Sequence, residues 1–119
     1  MAGQPAAQVA YDVNEQERGS MVGGTARSRA PRDCAQDPEA WPHAACDDVA
    51  AAVVQAIARR LADALAERGW SRRTAAGQLG INRQTIADVV EGRCWPDVAT
   101  VARLEAGLNT VLWPPLARR

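Results

Sequence analysis

The chain has 119 residues and a formal net charge of zero, with 14 Arg balanced by 14 Asp and Glu and no Lys at all. That length holds one small domain with a tail, which excludes a two-domain enzyme with an interdomain cleft. Neutrality excludes coating of nucleic acid or of an anionic membrane by bulk charge, but not a local basic patch.

Residues 1–30 contain no apolar run of signal-peptide length, and no stretch of about 18 apolar residues can span a bilayer, so a reducing cytoplasm is the expected setting. Cys34, Cys46 and Cys94 are odd in number and widely spaced, unlike a disulfide framework or a paired zinc motif. Cys34, His43 and Cys46 are the one conceivable metal set, and free thiols in a loose segment are the reading preferred. Residues 1–46 carry no Leu or Ile, only Val9, Val13 and Val22 with four Pro and four Gly. Such a segment buries too little apolar surface to offset its ordering entropy, so residues 1–46 are expected to be a disordered tail. A short helix at Tyr11–Arg18 would be marginal alone, and Met21 is a candidate start residue.

Residues 47–119, with seven Leu, three Ile and eight Val, form the expected domain. Asp47 or Asp48 caps a long first helix, Val49 to Arg68, ended by Gly69 as a left-handed residue. Val49, Val53, Ile57, Leu61 and Leu65 recur every four residues as its apolar stripe. Ser71 caps a second helix to Leu79, and Gly80 stops it after two turns. Asn82 caps a third, Arg83 to Glu91, ended by Gly92. Asp97 caps a fourth, Val98 to about Leu108, with Val98, Val101, Leu104 and Leu108 as its stripe. Asn109-Thr110 breaks it before Val111, Leu112 and Trp113 dock back. Nothing alternates with period two for long enough to make a strand.

Two short helices separated by Gly80-Ile81-Asn82 make a helix-turn-helix arrangement. A small residue at Ala76 lets the helices approach, Leu79, Ile81 and Ile86 point inward, and Gly80 supplies the positive φ of the turn. Trp70, Trp95 and Trp113 stand at helix connections, where amphipathic rings cover a bundle, whereas Trp41 has no such context.

The stretch Ser71-Arg72-Arg73-Thr74-Ala75-Ala76-Gly77-Gln78-Leu79-Gly80-Ile81-Asn82-Arg83-Gln84-Thr85-Ile86, with the rest of residues 54–113, resembles the Cro/phage-repressor type of helix-turn-helix domain, the XRE family. Leu112-Trp113-Pro114 is similar to the ending of Ner-like phage regulators. The chain departs from the pattern at Ala75 (usually Leu), at Gly77, which weakens its helix by about 1 kcal/mol, and at Asp88, an acid on the exposed recognition face. The resemblance implies an all-α, five-helix lambda-repressor-like bundle behind a disordered N-terminal tail. It also implies a sequence-specific regulator of transcription that binds double-stranded DNA, with the helix of residues 83–91 in the major groove and the helix after Ser71 across the backbone.

On that reading Arg83 pairs with guanine O6 and N7, Gln84 with adenine N6 and N7, Ala87 meets a thymine methyl, and Asp88 accepts from cytosine N4. Arg72 and Arg73, beside free helix N–H groups, are backbone-contacting phosphate clamps, with Asn82, Thr85 and Arg93 as weaker ones. Within residues 71–95 four Arg face Asp88 and Glu91, a local excess of +2. This predicts weak, salt-sensitive binding for a single copy. Two half-sites imply a homodimer, for which the long first helix and Val111, Leu112, Trp113 and Leu116 are the candidate surfaces. The alternative is a protein-interaction module docking on RNA polymerase, a toxin or another regulator through the bundle and tail. It would be favoured by exposed apolar area at Ala87, Val90 and Trp95.

Catalysis finds no support, since His43 is the only His and no phosphate loop or carboxylate cluster accompanies it. Ser20 and Cys34 lack the fixed surroundings a nucleophile needs. No cofactor or metal is expected.

Overall fold

A computed structural model of the protein describes residues 29–115. Four α-helices follow one another as α1 (Val49–Arg68), α2 (Arg72–Leu79), α3 (Arg83–Glu91) and α4 (Val98–Leu108). Single turns of 3-10 helix at Pro31–Cys34 and Pro38–Ala40 precede them. The helix bounds are those the capping residues predict. Asp48, Ser71, Asn82 and Asp97 accept from backbone N–H groups of the first turns. Gly69, Gly80, Gly92 and Asn109 close the helices in the left-handed region. No helix among the described residues is long and apolar enough to cross a membrane.

Helices α2 and α3, with 8 and 9 residues, are too short to hold alone. Burial holds them: Ala75 of α2, Ile86 and Val89 of α3, Leu104 and Leu108 of α4 and Ile57 and Leu61 of α1 share one core. Leu79, Ile81 and Ala76 pack on it half-buried, so Ala75, not Ala76, is the fully buried small residue of the motif. The position where Ala departs from the Leu of the family pattern is therefore a core position of α2.

The expected count of five helices is corrected to four α-helices among the described residues. After α4, Asn109 turns left-handed at φ 50 and residues 111–115 run on without helix. Two causes act together. Pro114 and Pro115 lack N–H donors and disfavour helical backbone in the residues before them. The Glu105 carboxylate captures the N–H groups of Leu112 (2.8 Å) and Trp113 (2.9 Å), and Leu112 enters the core.

The apolar stripe of α1 also differs from the expected one. A strict four-residue spacing advances about 40° per step around the helix, so its ends leave the face its middle occupies. Val49 is 81% exposed and Val53 half-buried, while Val54, Ile57, Ala58, Leu61 and Leu65 are buried. Val98 at the start of α4 is likewise exposed.

Residues 29–46, expected within a disordered tail, are packed against the helices. Pro31, Ala35 and Ala44 are buried. The side-chain amide of Gln55 donates to Ala44 O (2.7 Å) and accepts from Ala44 N (3.2 Å), while Arg59 donates to Pro42 O. Gln36 N donates to Ala45 O beside an isolated antiparallel bridge between Ala35 and Cys46. Trp41 donates from Nε1 to Val90 O (3.1 Å), Arg32 N to Gly92 O (2.9 Å), and Trp95 Nε1 to Arg29 O (2.8 Å). The estimate from Leu and Ile content omitted what proline, alanine and tryptophan bury and what these hydrogen bonds satisfy. The proposed helix at Tyr11–Arg18, Ser20, Met21, Leu116 and the remainder of the expected tail lie outside the described residues.

Candidate nucleic-acid interface

The candidate interface centres on α3. Its inner face is made by Ile86 and Val89, both without solvent exposure. With one side fixed, the helical period turns Asn82, Arg83 and Gln84 outward, all exposed, and puts Ala87 and Asp88 one turn further on, half-buried. Asn82 Oδ1 accepts from Gln84 N (2.7 Å) and Thr85 N (3.4 Å), so its oxygen serves the cap and only its amide N–H groups face outward chemistry. Thr85 is half-buried beside it. The N-terminus of α2, where Arg73 is exposed and Arg72 half-buried, completes the motif. There Ser71 Oγ accepts from Thr74 N (3.0 Å), leaving the first N–H groups of α2 to other acceptors.

The charges on this surface are not equivalent. Glu91 accepts from Arg72 of α2 and from Arg93 in the loop after α3. Asp88 Oδ1 accepts from Arg93 Nε (2.9 Å) and from Gln84 Nε2 (2.9 Å). A chain of side chains thus runs Arg72, Glu91, Arg93, Asp88, Gln84 along one edge of the motif. The Gln84 amide, followed by the Arg93 guanidinium, holds the Asp88 carboxyl below its ordinary range. Arg72, and then Arg93, does the same for Glu91. The hydrogen bond to Asp88 chiefly raises Arg93 in turn. Two of the four arginines counted in the local excess are therefore already paired. Arg73 and Arg83 make no ion pair or side-chain hydrogen bond among the described residues, and they carry the outward positive charge of this face.

The Arg68 guanidinium lies 5.7 Å from the centroid of the Trp70 ring and donates to Leu108 O (2.6 Å), joining the first connection to the end of α4. Arg59 and Arg60 are also committed to backbone carbonyls. Ala87, Val90 and Trp95, whose exposure would mark a protein-docking face, are each half-buried, the last two under the hydrogen bonds from Trp41 and to Arg29. The exposed large apolar residues are Val49, Val98, Val111 and Trp113, of which Val49 and Trp113 line a groove with Val53 and Pro114 between the start of α1 and the C-terminal segment.

Among the described residues no group of three or more His, Cys, Asp or Glu is arranged to hold a metal ion, and His43 is exposed. Burial raises the thiols of Cys46 and Cys94, with Cys34 as a second cause for Cys46, the opposite of an activated nucleophile.

Sequence reasoning missed four positions. Glu91 closes α2 onto α3 through Arg72, a partner nineteen residues away with no local signature. Glu105 pins Leu112 and Trp113. Gln55 is a lone polar residue in the apolar run Ala51–Ala58, and that isolation was its available signal. Trp41 lies over Gly92, and nothing in its own neighbourhood points there.

Residues 61–111 match the family model described as helix-turn-helix. No curated protein and no solved structure matches the chain.

Proposed function

We propose, from the match of residues 61–111 to the helix-turn-helix family model, that the chain is a Cro/C1-type (XRE) regulator that controls transcription by binding specific double-stranded DNA, with the outer face of α3 in the major groove. One observation carries the reading. Arg73 and Arg83, the two guanidinium groups of the motif without an ion partner among the described residues, stand at the N-terminal ends of its two helices. That is where phosphate and base-edge contacts are needed.

In this reading Arg83 and Gln84 reach base edges first, Ala87 and Asp88 follow one turn on, and Arg73 clamps a phosphate beside the free N–H groups of α2. Asn82 and Thr85 supply neutral backbone contacts. Arg72 and Arg93 reach phosphates only by exchanging Glu91 and Asp88, so they add less than their charge suggests. Non-specific affinity is correspondingly low and specificity depends on base contacts.

A single α3 reads too few base pairs for an operator, so two copies bind, and the groove beside Val49, Val53 and Trp113 supports a homodimer. Light scattering after size exclusion, with and without operator duplex, tests this. A monomer in both conditions refutes it.

The DNA reading is tested by fluorescence anisotropy on labelled genomic fragments across a salt series. The expected result is selective binding that weakens steeply with salt and is lost for Arg83→Ala on the preferred fragment. Absence of binding to every fragment at low salt refutes it.

A further inference from the structure

We propose that Gln84 and Asp88 read one base as a single unit that selects an amino-bearing base, adenine or cytosine, over a keto-bearing one, guanine or thymine. This rests on the placement of α3 in the major groove proposed above.

The argument starts from the hydrogen bond between them. Gln84 and Asp88 stand one helical turn apart on the outer side of α3, with Gln84 Nε2 donating to Asp88 Oδ1 at 2.9 Å. A carboxylate only accepts, so the amide must present its nitrogen to Asp88 and cannot exchange its two ends. The carbonyl oxygen on the other prong of the amide is left to face a ligand. Arg93 Nε donates to the same Oδ1, also at 2.9 Å, so Oδ1 carries two donors while Oδ2 has no hydrogen-bond partner among the described residues. The pair therefore offers two neighbouring acceptors, Gln84 Oε1 and Asp88 Oδ2, and Arg93 is the residue that positions the second.

In the major groove adenine N6 and cytosine N4 are donors, whereas guanine O6 and thymine O4 are acceptors. The one N–H that a base-paired amino group keeps in the major groove is accepted by either member of the pair or shared between them. A keto oxygen sets lone pair against lone pair beside a carboxylate charge, and nothing on the unit can rotate to relieve it while Asp88 holds the amide. Free glutamine reads either kind of edge by flipping. Locked glutamine reads one. On this view the acid on the recognition face is a specificity element, and the repulsion it costs near phosphates accompanies the discrimination it provides.

Selection of the full chain on a randomised duplex pool, followed by competition anisotropy on single-base variants of the selected duplex, tests the proposal. The wild type is expected to show one position in each half-site where adenine or cytosine is preferred by about tenfold over guanine or thymine, within the range of a good base contact. Asp88→Asn frees both amides to flip and should abolish that preference while leaving the other positions unchanged. Affinity for unselected duplex should rise as a negative charge is removed. Gln84→Met, which keeps the helix and removes the amide, should loosen the same position, so a folding defect of one variant does not decide the matter.

Retention of the full preference by both variants, or a preference for a keto base at the position they affect, overturns the inference and leaves DNA binding standing. If the wild type enriches no sequence and binds no duplex at low salt, the DNA-binding reading falls and this inference with it.

Discussion

Gly80 and Gly92 have nearly the same backbone, at φ 67 and φ 72, but different surroundings. A Cβ at Gly80 meets open space, whereas one at Gly92 would come within 2.5 Å of Trp41 Cε2 and 2.8 Å of Nε1. Gly80→Ala should therefore cost only the left-handed backbone penalty of an L residue, about 1–2 kcal/mol. Gly92→Ala bears the same penalty and must also push the indole away. The Nε1 bond to Val90 O is then lost, a net contribution of about 1 kcal/mol. Exposing about 50 Å² of the ring adds roughly 1 kcal/mol at ~25 cal/mol per Å². The two variants should thus differ by about 2 kcal/mol, or about 8–16 °C in Tm for a domain of this size. Urea unfolding followed by far-UV circular dichroism measures this directly. In a Trp41→Ala background the extra cost of Gly92→Ala should vanish, giving a coupling of about 2 kcal/mol in a double-mutant cycle. Equal costs for the two glycine variants, or strict additivity with Trp41→Ala, would refute the docking of residues 29–46 over the end of α3.

Other perturbations probe other parts of the molecule. Gly77 is exposed within α2 and an added Cβ there would meet nothing within 4 Å, so Gly77→Ala should raise stability by about 0.5–1 kcal/mol in the same urea assay. The N–H groups of Trp113 and Leu112 hold the Glu105 carboxyl below its ordinary value of 4.5. A depressed folded-state value means that this stability is complete above that pH and is lost as pH falls through and below it. The unfolding midpoint of the wild type should therefore drop on acidification below about pH 4.5, and Glu105→Gln should start lower and show a shallower acid limb. Glu91→Gln removes the ion partner of Arg72, while Arg93 stays held by Asp88. Binding to unselected duplex should tighten, and the salt slope should steepen by about 1 if Arg72 gains a phosphate.

Much of the fold was legible because its signals are local. Asp48, Ser71, Asn82 and Asp97 cap helices through backbone groups two or three residues away, and Gly69, Gly80 and Gly92 end them by a conformation other residues avoid. The helix-turn-helix motif followed from the same short range, as did the outward position of Arg83 and Gln84 once Ile86 was assigned to the core. The failures lie where a decision is made at a distance. Residues 29–46 looked too polar to fold because their partners, Gln55, Arg59, Val90 and Gly92, come later in the chain. The fifth helix came from the resemblance and not from any residue pattern, and the capture of Leu112 and Trp113 by Glu105, which holds the C-terminal segment instead, is a tertiary event.

The site divides along the same line. The identity of Arg72, Arg73, Arg83 and Arg93 is written in the sequence, and with it a net charge of zero that hides a basic edge. Which of them remain free is not written there. Ion pairing depends on distances of a few ångströms between side chains up to nineteen residues apart, as for Arg72 and Glu91. Only the packing of α2 on α3 sets those distances, and it leaves Arg73 and Arg83 facing outward while Asp88 holds Gln84.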